Sequence, residues 1–413
     1  MDTINVGIIG CGYRGVNTLA ERIVEVSEET GLRVSYLCDS REDRLEECRE
    51  HLTRLFADRG INLSIACTLD PNALIDSDGV DLVMVTTPQN VHRGPAIAAL
   101  ESGKKVYCDK PIAHTLEDAV AILDAEKRTG NEMILGFTRR YEAPWRKAHD
   151  LVREGVIGDL HMIQIRDIIP FHTYFHRWHR RREWSGEAIN DKSSHHMDVF
   201  NWFAGSPVER MTGFGGQRVF LPKDDAPARC LECDIECPWR VNPTRGKMKS
   251  QEELSLTGDS WMKATDVYDR VDTCVYLPGA DILDHASLQM QFENGIVASL
   301  WVSFFGPKAE DQETLELVGT KGRIILTRHT GMLDVVTDYG ATHEQIDCKR
   351  EDFGSSHFGA DLELVRELRT FYDGASPLVS ATNGLEAARM IEAGIRSIDN
   401  GGEMVRMDEV DNI

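Results

Sequence analysis

The chain opens with a short apolar run, INVGII at residues 4–9, followed at once by Gly10-Cys11-Gly12-Tyr13-Arg14-Gly15 and then by helix-spaced apolar positions from about Val16 to Val26. Further apolar runs, RVSYLCD, IACT, DLVMVTT, KVYCD and EMILGF, alternate with helical stretches up to about residue 150. Short buried strands alternating with helices predict a parallel sheet with helices on both faces. Past residue 150 the period changes: HMIQIRDII, SLQMQFENGIVASLWVSF and ETLELVGTKGRIILTR read as longer strands, with hairpin turns at Asn294-Gly295 and Lys321-Gly322. This half predicts a mostly antiparallel open sheet. Two late stretches, FGADLELVRELRTFYD and NGLEAARMIEAGIRSI, carry apolar residues at three-to-four spacing and are expected to pack back toward the first half. FLPKDDAPARCLECDIECPW, residues 220–239, reads as a surface insertion.

The pattern therefore divides the chain into a domain over residues 1–150 and a second, α+β domain over 151–413, and 413 residues suffice for two cores. Composition narrows the partners. Lys plus Arg number 46 against 68 Asp plus Glu, and a net charge of -22 disfavours nucleic acid and membrane surfaces, leaving a neutral or polar small molecule. Met1 leads into INVGIIG with no basic flank or cleavage pattern, and no stretch of about 18 apolar residues occurs, so a soluble cytoplasmic protein is expected. The ten cysteines are scattered, which in that compartment implies mostly reduced thiols.

The glycines at 10, 12 and 15 suit three tasks: a tight turn, close approach of backbone to a pyrophosphate, and close packing of helix on strand. Tyr13 and Arg14 lie within that turn, and Asp39 closes the second strand 24 residues after Gly15, where a carboxylate accepts from both ribose hydroxyls. The fold class expected is α/β: an N-terminal Rossmann, doubly wound parallel sheet followed by the C-terminal α+β domain. Asp39 repels a 2'-phosphate and favours NAD, while Arg41 keeps NADP open. The plain alternative is a glycine turn that serves packing alone. Cys11, within the turn, reads as a small packing residue.

TTPQNVHRGPAIAALESGKKVYCDKPIAHT, residues 86–115, resembles the Gfo/Idh/MocA family of nicotinamide-dependent oxidoreductases. In that family a strand-end TP-N--H motif, here Thr87, Pro88, Asn90 and His92, and an EKP-like motif, here Asp109-Lys110-Pro111, line the cofactor cleft. Asp109 stands where Glu is usual and reaches one methylene less far. The resemblance implies that Lys110 points at substrate and nicotinamide and that the proline can follow a cis bond. A second motif is met in NDKSSHHMDVFNWF, where Asp191, His195 and Asp198 fall at i, i+4 and i+7 on one helical face and Lys192 and His196 share the next. The resemblance makes His195 the proton-transfer residue and Asp191 a substrate or orienting contact. The plain alternative is a polar first turn of a solvated helix.

Alcohol oxidation moves a hydride to a nicotinamide and a proton off oxygen, so it needs a base near neutral pH and cations beside the oxygen. Imidazole suits the first; Lys110 and Lys192 suit the second, and two adjacent ammonium groups would depress each other's pKa. The expected activity is NAD(H)-dependent oxidation or reduction of a secondary alcohol on a sugar, sugar derivative or polyol. Its rivals are an NAD-dependent glycosidase working by transient oxidation and elimination, and a non-catalytic NAD-binding sensor. A homodimer or homotetramer through the outer face of the open sheet is expected.

FHTYFHRWHRR spaces His172, His176 and His179 for a helical metal stripe, but the flanking positive charge disfavours an ion. A loop over the cleft, with His176, Trp178 and His179 touching a hydroxylated ligand beside His196, competes with a solvated basic loop. Cys230, Cys233 and Cys237 come one ligand short of a zinc site that Cys274 or His285 could complete, and a cluster of reduced thiols is the competing reading. Trp261, Asp284 and His285 are weaker substrate candidates.

Overall fold

The structure, a computed structural model, describes residues 2–230, 232–240, 270–307, 309–354 and 356–410. Among these, β1 (Ile4–Ile9), β2 (Leu32–Cys38), β3 (Ala66–Thr68), β4 (Leu82–Val85), β5 (Lys105–Cys108) and β6 (Met133–Leu135) form a six-stranded sheet in the order β3-β2-β1-β4-β5-β6, parallel at every pairing. β4 is buried at all of its residues and β1 at all but Asn5, as expected of strands covered on both faces. The strand order reverses direction between β1 and β4, and the two chain crossings leave a crevice at their C-terminal ends. The helix after β1 starts earlier than its apolar spacing predicts: a π-helical segment, Arg14–Ala20, runs into the helix Glu21–Glu25.

The second sheet holds β7 (Leu160–Ile168), β8 (Val208–Gly216), β9 (His285–Phe292), β10 (Val297–Ser303), β11 (Glu313–Gly319), β12 (Gly322–Thr327), β13 (Met332–Thr337), β14 (Thr342–Asp347) and β15 (Val405–Arg406), in the order β14-β13-β12-β11-β7-β10-β9-β8-β15. β7 and β10 pair in parallel and the other neighbours are antiparallel. Burial alternates along these strands: Leu288, Met290, Leu300, Val302, Leu315 and Leu317 face inward, whereas Met162, Val297 and Trp301 are exposed. The β9–β10 hairpin turns at Asn294-Gly295 with Gly295 at φ +85°. The other turn is shifted by one residue from the prediction. Thr320 and Lys321 form it, and Gly322 already pairs with Thr337, its missing side chain letting the Val336 carbonyl approach.

The helix Ala381–Asp399 packs on β8, with Gly394 bringing it down onto Leu288, and also on the helices Ala188–Ala204 and Leu116–Thr129. The helix Ala360–Tyr372 packs against the start of the first sheet's helical layer, and Ser380 bridges Ile134 at that sheet's edge. Residues 220–239 are not a simple surface insertion: Phe220 is buried and Trp239 meets both Phe171 and Phe220 edge-on. Among the described residues no helix is long and apolar enough to cross a membrane.

Candidate active site

Each glycine of the first turn meets different surroundings. Gly10 has φ +97°, and a Cβ there would come within 2.6 Å of the Thr87 nitrogen. A Cβ on Gly15 would sit 2.3 Å from the Gly10 carbonyl oxygen and 2.5 Å from Thr86 Oγ1, so close packing of turn on strand requires glycine. A Cβ on Gly12 would meet nothing within 4 Å, which leaves an open face at the sheet's crevice. The helical segment behind it carries no acidic residue in its first turn and no side-chain cap, so its N–H groups are free of a competing anion from that turn. Asp39 closes β2 beside the same turn, accepting from the Cys11 N–H at 2.9 Å and the Arg41 N–H at 3.0 Å, with Arg44 Nη1 3.4 Å away. Arg41 turns its guanidinium to Asp43. Tyr13, Thr87, Pro88 and Asn90 are half-buried along the same rim. An open glycine face, helix-start donors and a strand-end carboxylate together fit a dinucleotide.

Arg14 and Asp109 face each other: Arg14 Nε is 3.0 Å from Asp109 Oδ1, Nη2 is 3.2 Å from the Tyr107 hydroxyl, and Nη1 meets Asp361. Asp109 Oδ1 also accepts from Tyr107 at 2.7 Å. His92 is buried between two carbonyls, with Nε2 2.8 Å from Thr87 O and Nδ1 3.0 Å from Pro111 O. It thereby ties the end of β4 to the cis Lys110-Pro111 peptide, and burial lowers its pKa below the usual imidazole value.

The helix Ala188–Ala204 starts at the Glu187 cap and stops at Gly205, φ +60°. Lys110 Nζ donates to the Asp191 carbonyl at 2.8 Å and lies 3.4 Å from Asp191 Oδ2. Asp191 also accepts from the Tyr174 hydroxyl at 2.9 Å and from Gln89 Nε2 at 3.3 Å, with His179 Nε2 at 3.9 Å. Burial pushes this carboxyl up, but Lys110, His179 and Tyr174 outweigh it and hold Asp191 below its ordinary range. One turn on, His195 is buried and its Nδ1 has no hydrogen-bond partner. Burial, then Arg139, Lys110 and Lys192, drive its pKa well below the usual value, so the ring is neutral at neutral pH. Asp198 pairs with Arg140 at 2.6 and 3.0 Å, which anchors the helix to the end of the first sheet.

The chain matches the NAD-binding Rossmann-fold model of an oxidoreductase family over residues 4–137 and that family's C-terminal alpha/beta domain over residues 149–407. It belongs to the Gfo/Idh/MocA oxidoreductase family. Myo-inositol 2-dehydrogenase of Thermotoga maritima is 25% identical over 98% of this chain and 99% of its own length. The protein YteT of Bacillus subtilis is 27% identical over 59% of each chain, so this chain spans about three fifths of that relative. A levoglucosan dehydrogenase solved with NADH and levoglucosan shares the fold at TM-score 0.75 and 17% identity, covering 98% of this chain and 100% of its own.

Other residues of this family member fall elsewhere than expected. Lys192 is seated on acids other than Asp191. Its ammonium lies 3.2 Å from Asp167 Oδ2 and 3.7 Å from Glu313 Oε2, so each lysine has carboxylates of its own. His196 is fully buried, 3.4 Å from both acids, and has no surface to offer a substrate. His176 is fully buried too, between the Thr273 and Trp239 carbonyls at 2.6 and 2.9 Å, and burial lowers its pKa to about 4. Of that loop's aromatic residues, His179 reaches Asp191, with Trp178 stacked on it at 3.8 Å, and burial lowers the His179 pKa to about 3. Asp284 accepts from the N–H groups of Arg218, Val219 and Phe220 and from His285, which makes it a loop anchor. Cys230, Cys233 and Cys237 do not gather: among the described residues the group spaced for an ion is Asp167, His196 and Glu313. Trp261 and the His172 side chain lie outside the described residues.

Tyr174, Gln89, Asp167 and Glu313 escape a motif reading. Gln89 stands inside the TTPQN string. Asp167 and Glu313 occupy the inward phase of their strands, after Ile163 and Ile165 and before Leu315 and Leu317, and a carboxylate in an apolar phase is their signal.

Proposed function

We propose that this protein oxidises or reduces a secondary alcohol of a sugar, sugar derivative or polyol with NAD(H). The observation that carries the reading is the docking of Lys110 Nζ on the Asp191 carbonyl, which holds an ammonium one helical turn from a neutral His195. Gly10, Gly12, Gly15 and Asp39 hold the dinucleotide, with Tyr13, Thr87, Pro88 and Asn90 along its rim. Arg14, His92 and Asp109 fix that rim from behind. A bound nicotinamide supplies the hydride acceptor. In the oxidising direction His195 takes the hydroxyl proton, and Lys110 stabilises the negative charge that develops on the oxygen. Asp191, kept ionised, orients Lys110 and accepts from a substrate hydroxyl. The cations around His195 disfavour imidazolium, so the proton passes on to solvent instead of resting there. Trp178 and His179 form an apolar wall beside Asp191, suited to the carbon face of a ring.

The Asp39 carboxylate disfavours a 2'-phosphate, so NAD is the preferred cofactor. The exposed Met162, Val297 and Trp301 on the open sheet suit a second copy of the chain in a cytoplasmic homo-oligomer. The test is NAD+ reduction across aldoses, inositols and glycosides, with cleavage products measured alongside. Stoichiometric NADH and a ketone are expected, with Lys110→Ala losing kcat while retaining NAD affinity. Glycoside cleavage without net NADH would replace oxidation by the elimination chemistry, and equal loss of NAD affinity and rate in Lys110→Ala would remove Lys110 from the substrate side.

A further inference from the structure

Asp167 and Glu313 are direct cross-strand partners on β7 and β11, and both are fully buried. Like charges placed opposite each other repel, and burial sharpens the repulsion. His196 Nε2 lies 3.4 Å from each carboxylate, a spacing that could hold a metal ion. The surrounding charges name a different occupant. Asp167, Glu313 and Glu142 are matched by Arg139, Arg328 and Lys192: Arg139 bridges Glu313 and Glu142, Arg328 does the same, and Lys192 sits against Asp167 and Glu313. Three acids and three cations already balance, and a divalent ion would add two positive charges to them. Of these three cations, Lys192 is the one within 4 Å of both Asp167 and Glu313.

A solvated helix-start lysine needs no buried seat. Lys192 has one, yet its side chain keeps 19% exposure, close to the 20% of Lys110, while both of its acids have none. An ammonium carries three N–H donors. Lys192 Nζ lies 3.2 Å from Asp167 and 3.7 Å from Glu313 as an ion pair, with the Asp167 oxygens lacking a hydrogen-bond partner, and Lys110 donates to the Asp191 carbonyl at 2.8 Å, so each ammonium keeps N–H groups for a ligand. Both ammonium groups are fixed at the first turn of the Ala188–Ala204 helix, Lys110 by the carbonyl of the residue that precedes Lys192.

We infer that Lys192, seated on Asp167 and Glu313, is a second substrate-reading cation, so that the site recognises a vicinal diol: Lys110 binds the oxygen that is oxidised and Lys192 its neighbour. This rests on the proposed function and deepens it. Asp167 and Glu313 are then positioning residues, and His196 separates them. A substrate without the adjacent hydroxyl leaves a Lys192 donor unmatched.

The experiment takes the best substrate from a panel of cyclitols and aldoses and compares kcat/KM with that of its monodeoxy analogues, in wild type and in Lys192→Met. The wild type is expected to lose roughly 10- to 100-fold when the neighbouring hydroxyl is removed, the weight of a hydrogen bond to a charged group. In Lys192→Met that ratio is expected to collapse to about threefold or less, because the removed group no longer has a charged donor to lose. Each ratio is taken within one variant, so a general loss of stability cancels. If removing Lys192 strands the two acids and prevents folding, the charge-balanced Lys192→Met/Asp167→Asn variant is read the same way. A ratio unchanged by the substitution, or no penalty in wild type, overturns the diol reading alone. No NAD+ reduction with any polyol in wild type overturns it together with the proposed function.

Discussion

Gly12→Ala and Gly15→Ala separate a glycine kept for the fold from one kept for the cofactor. At position 15 the added methyl would lie 2.3 Å from the Gly10 carbonyl oxygen, a backbone atom that can retreat only by opening the turn. Overpacking of this kind costs about 1–3 kcal/mol, and Gly15→Ala is expected to melt several degrees below wild type with or without NAD+. At position 12 the methyl meets nothing within 4 Å, and the residue is not among those with positive φ. Free Gly12→Ala should therefore be as stable as wild type or more so, by about 0.4–1 kcal/mol from the stiffer unfolded chain. The same methyl fills the space a pyrophosphate would take. In wild type, NAD+ at 100 times its Kd adds about 2.7 kcal/mol of stability; a hundredfold loss of affinity cuts this to about 0.4 kcal/mol. Differential scanning calorimetry of the three proteins with and without NAD+ reads both effects. A Gly12→Ala protein that gains as much from NAD+ as wild type would show that the turn's open face is not where the dinucleotide lies.

Three other expectations follow from named groups. Asp39→Ala should weaken NAD binding more than NADP binding, by titration of each dinucleotide; an unchanged preference would remove Asp39 from the ribose site. Glu187, at φ +121° before the Ala188–Ala204 helix, has its pKa raised by burial to about 7 although it accepts from the Ala188 and Leu283 N–H groups. Between about pH 4.5 and 7 the folded chain holds a proton that the unfolded chain has released, so stability falls as pH rises, by roughly 3 kcal/mol in full. Glu187→Gln keeps the acceptor and removes the titration, so urea unfolding should show it more stable than wild type at pH 8 and similar at pH 5; equal stabilities at pH 8 would contradict the assignment. Because His195 is held neutral, its proton-accepting form persists on acidification, and the acid limb of kcat/KM for alcohol oxidation should fall well below pH 6.5. A limb at 6.5 would mean that the base is an unperturbed group.

The parallel sheet was legible because buried strands and helices differ in period, and the glycine turn because its residues have local, sterically distinct tasks. The cluster of charges at residues 191–198 was legible as a site, but not the direction in which each would turn. Lys192 is one residue from Asp191, yet the helix sends it to β7 and β11, whose acids lie 25 residues before and 121 residues after it in the chain. His176 and His179 look equivalent in FHTYFHRWHRR; only the packing of Trp239 and of the strand-like turn at Thr273 buries the first and leaves the second beside Asp191. Cys230 and its neighbours show the converse, a local spacing that tertiary structure does not draw together.

The link from Arg14 to Asp361 joins the opening turn of the polypeptide to its last seventh, and the bridge between Ile134 and Ser380 repeats that join at the far edge of the first sheet. During synthesis the first 150 residues emerge long before these partners exist. Until they arrive, the Arg14 guanidinium faces Asp109 and Tyr107 without the carboxylate that completes its shell. The nucleotide turn should thus reach its working form only after Asp361 has been made and has docked, and a clone ending before residue 356 should yield a parallel sheet with a loosened mouth.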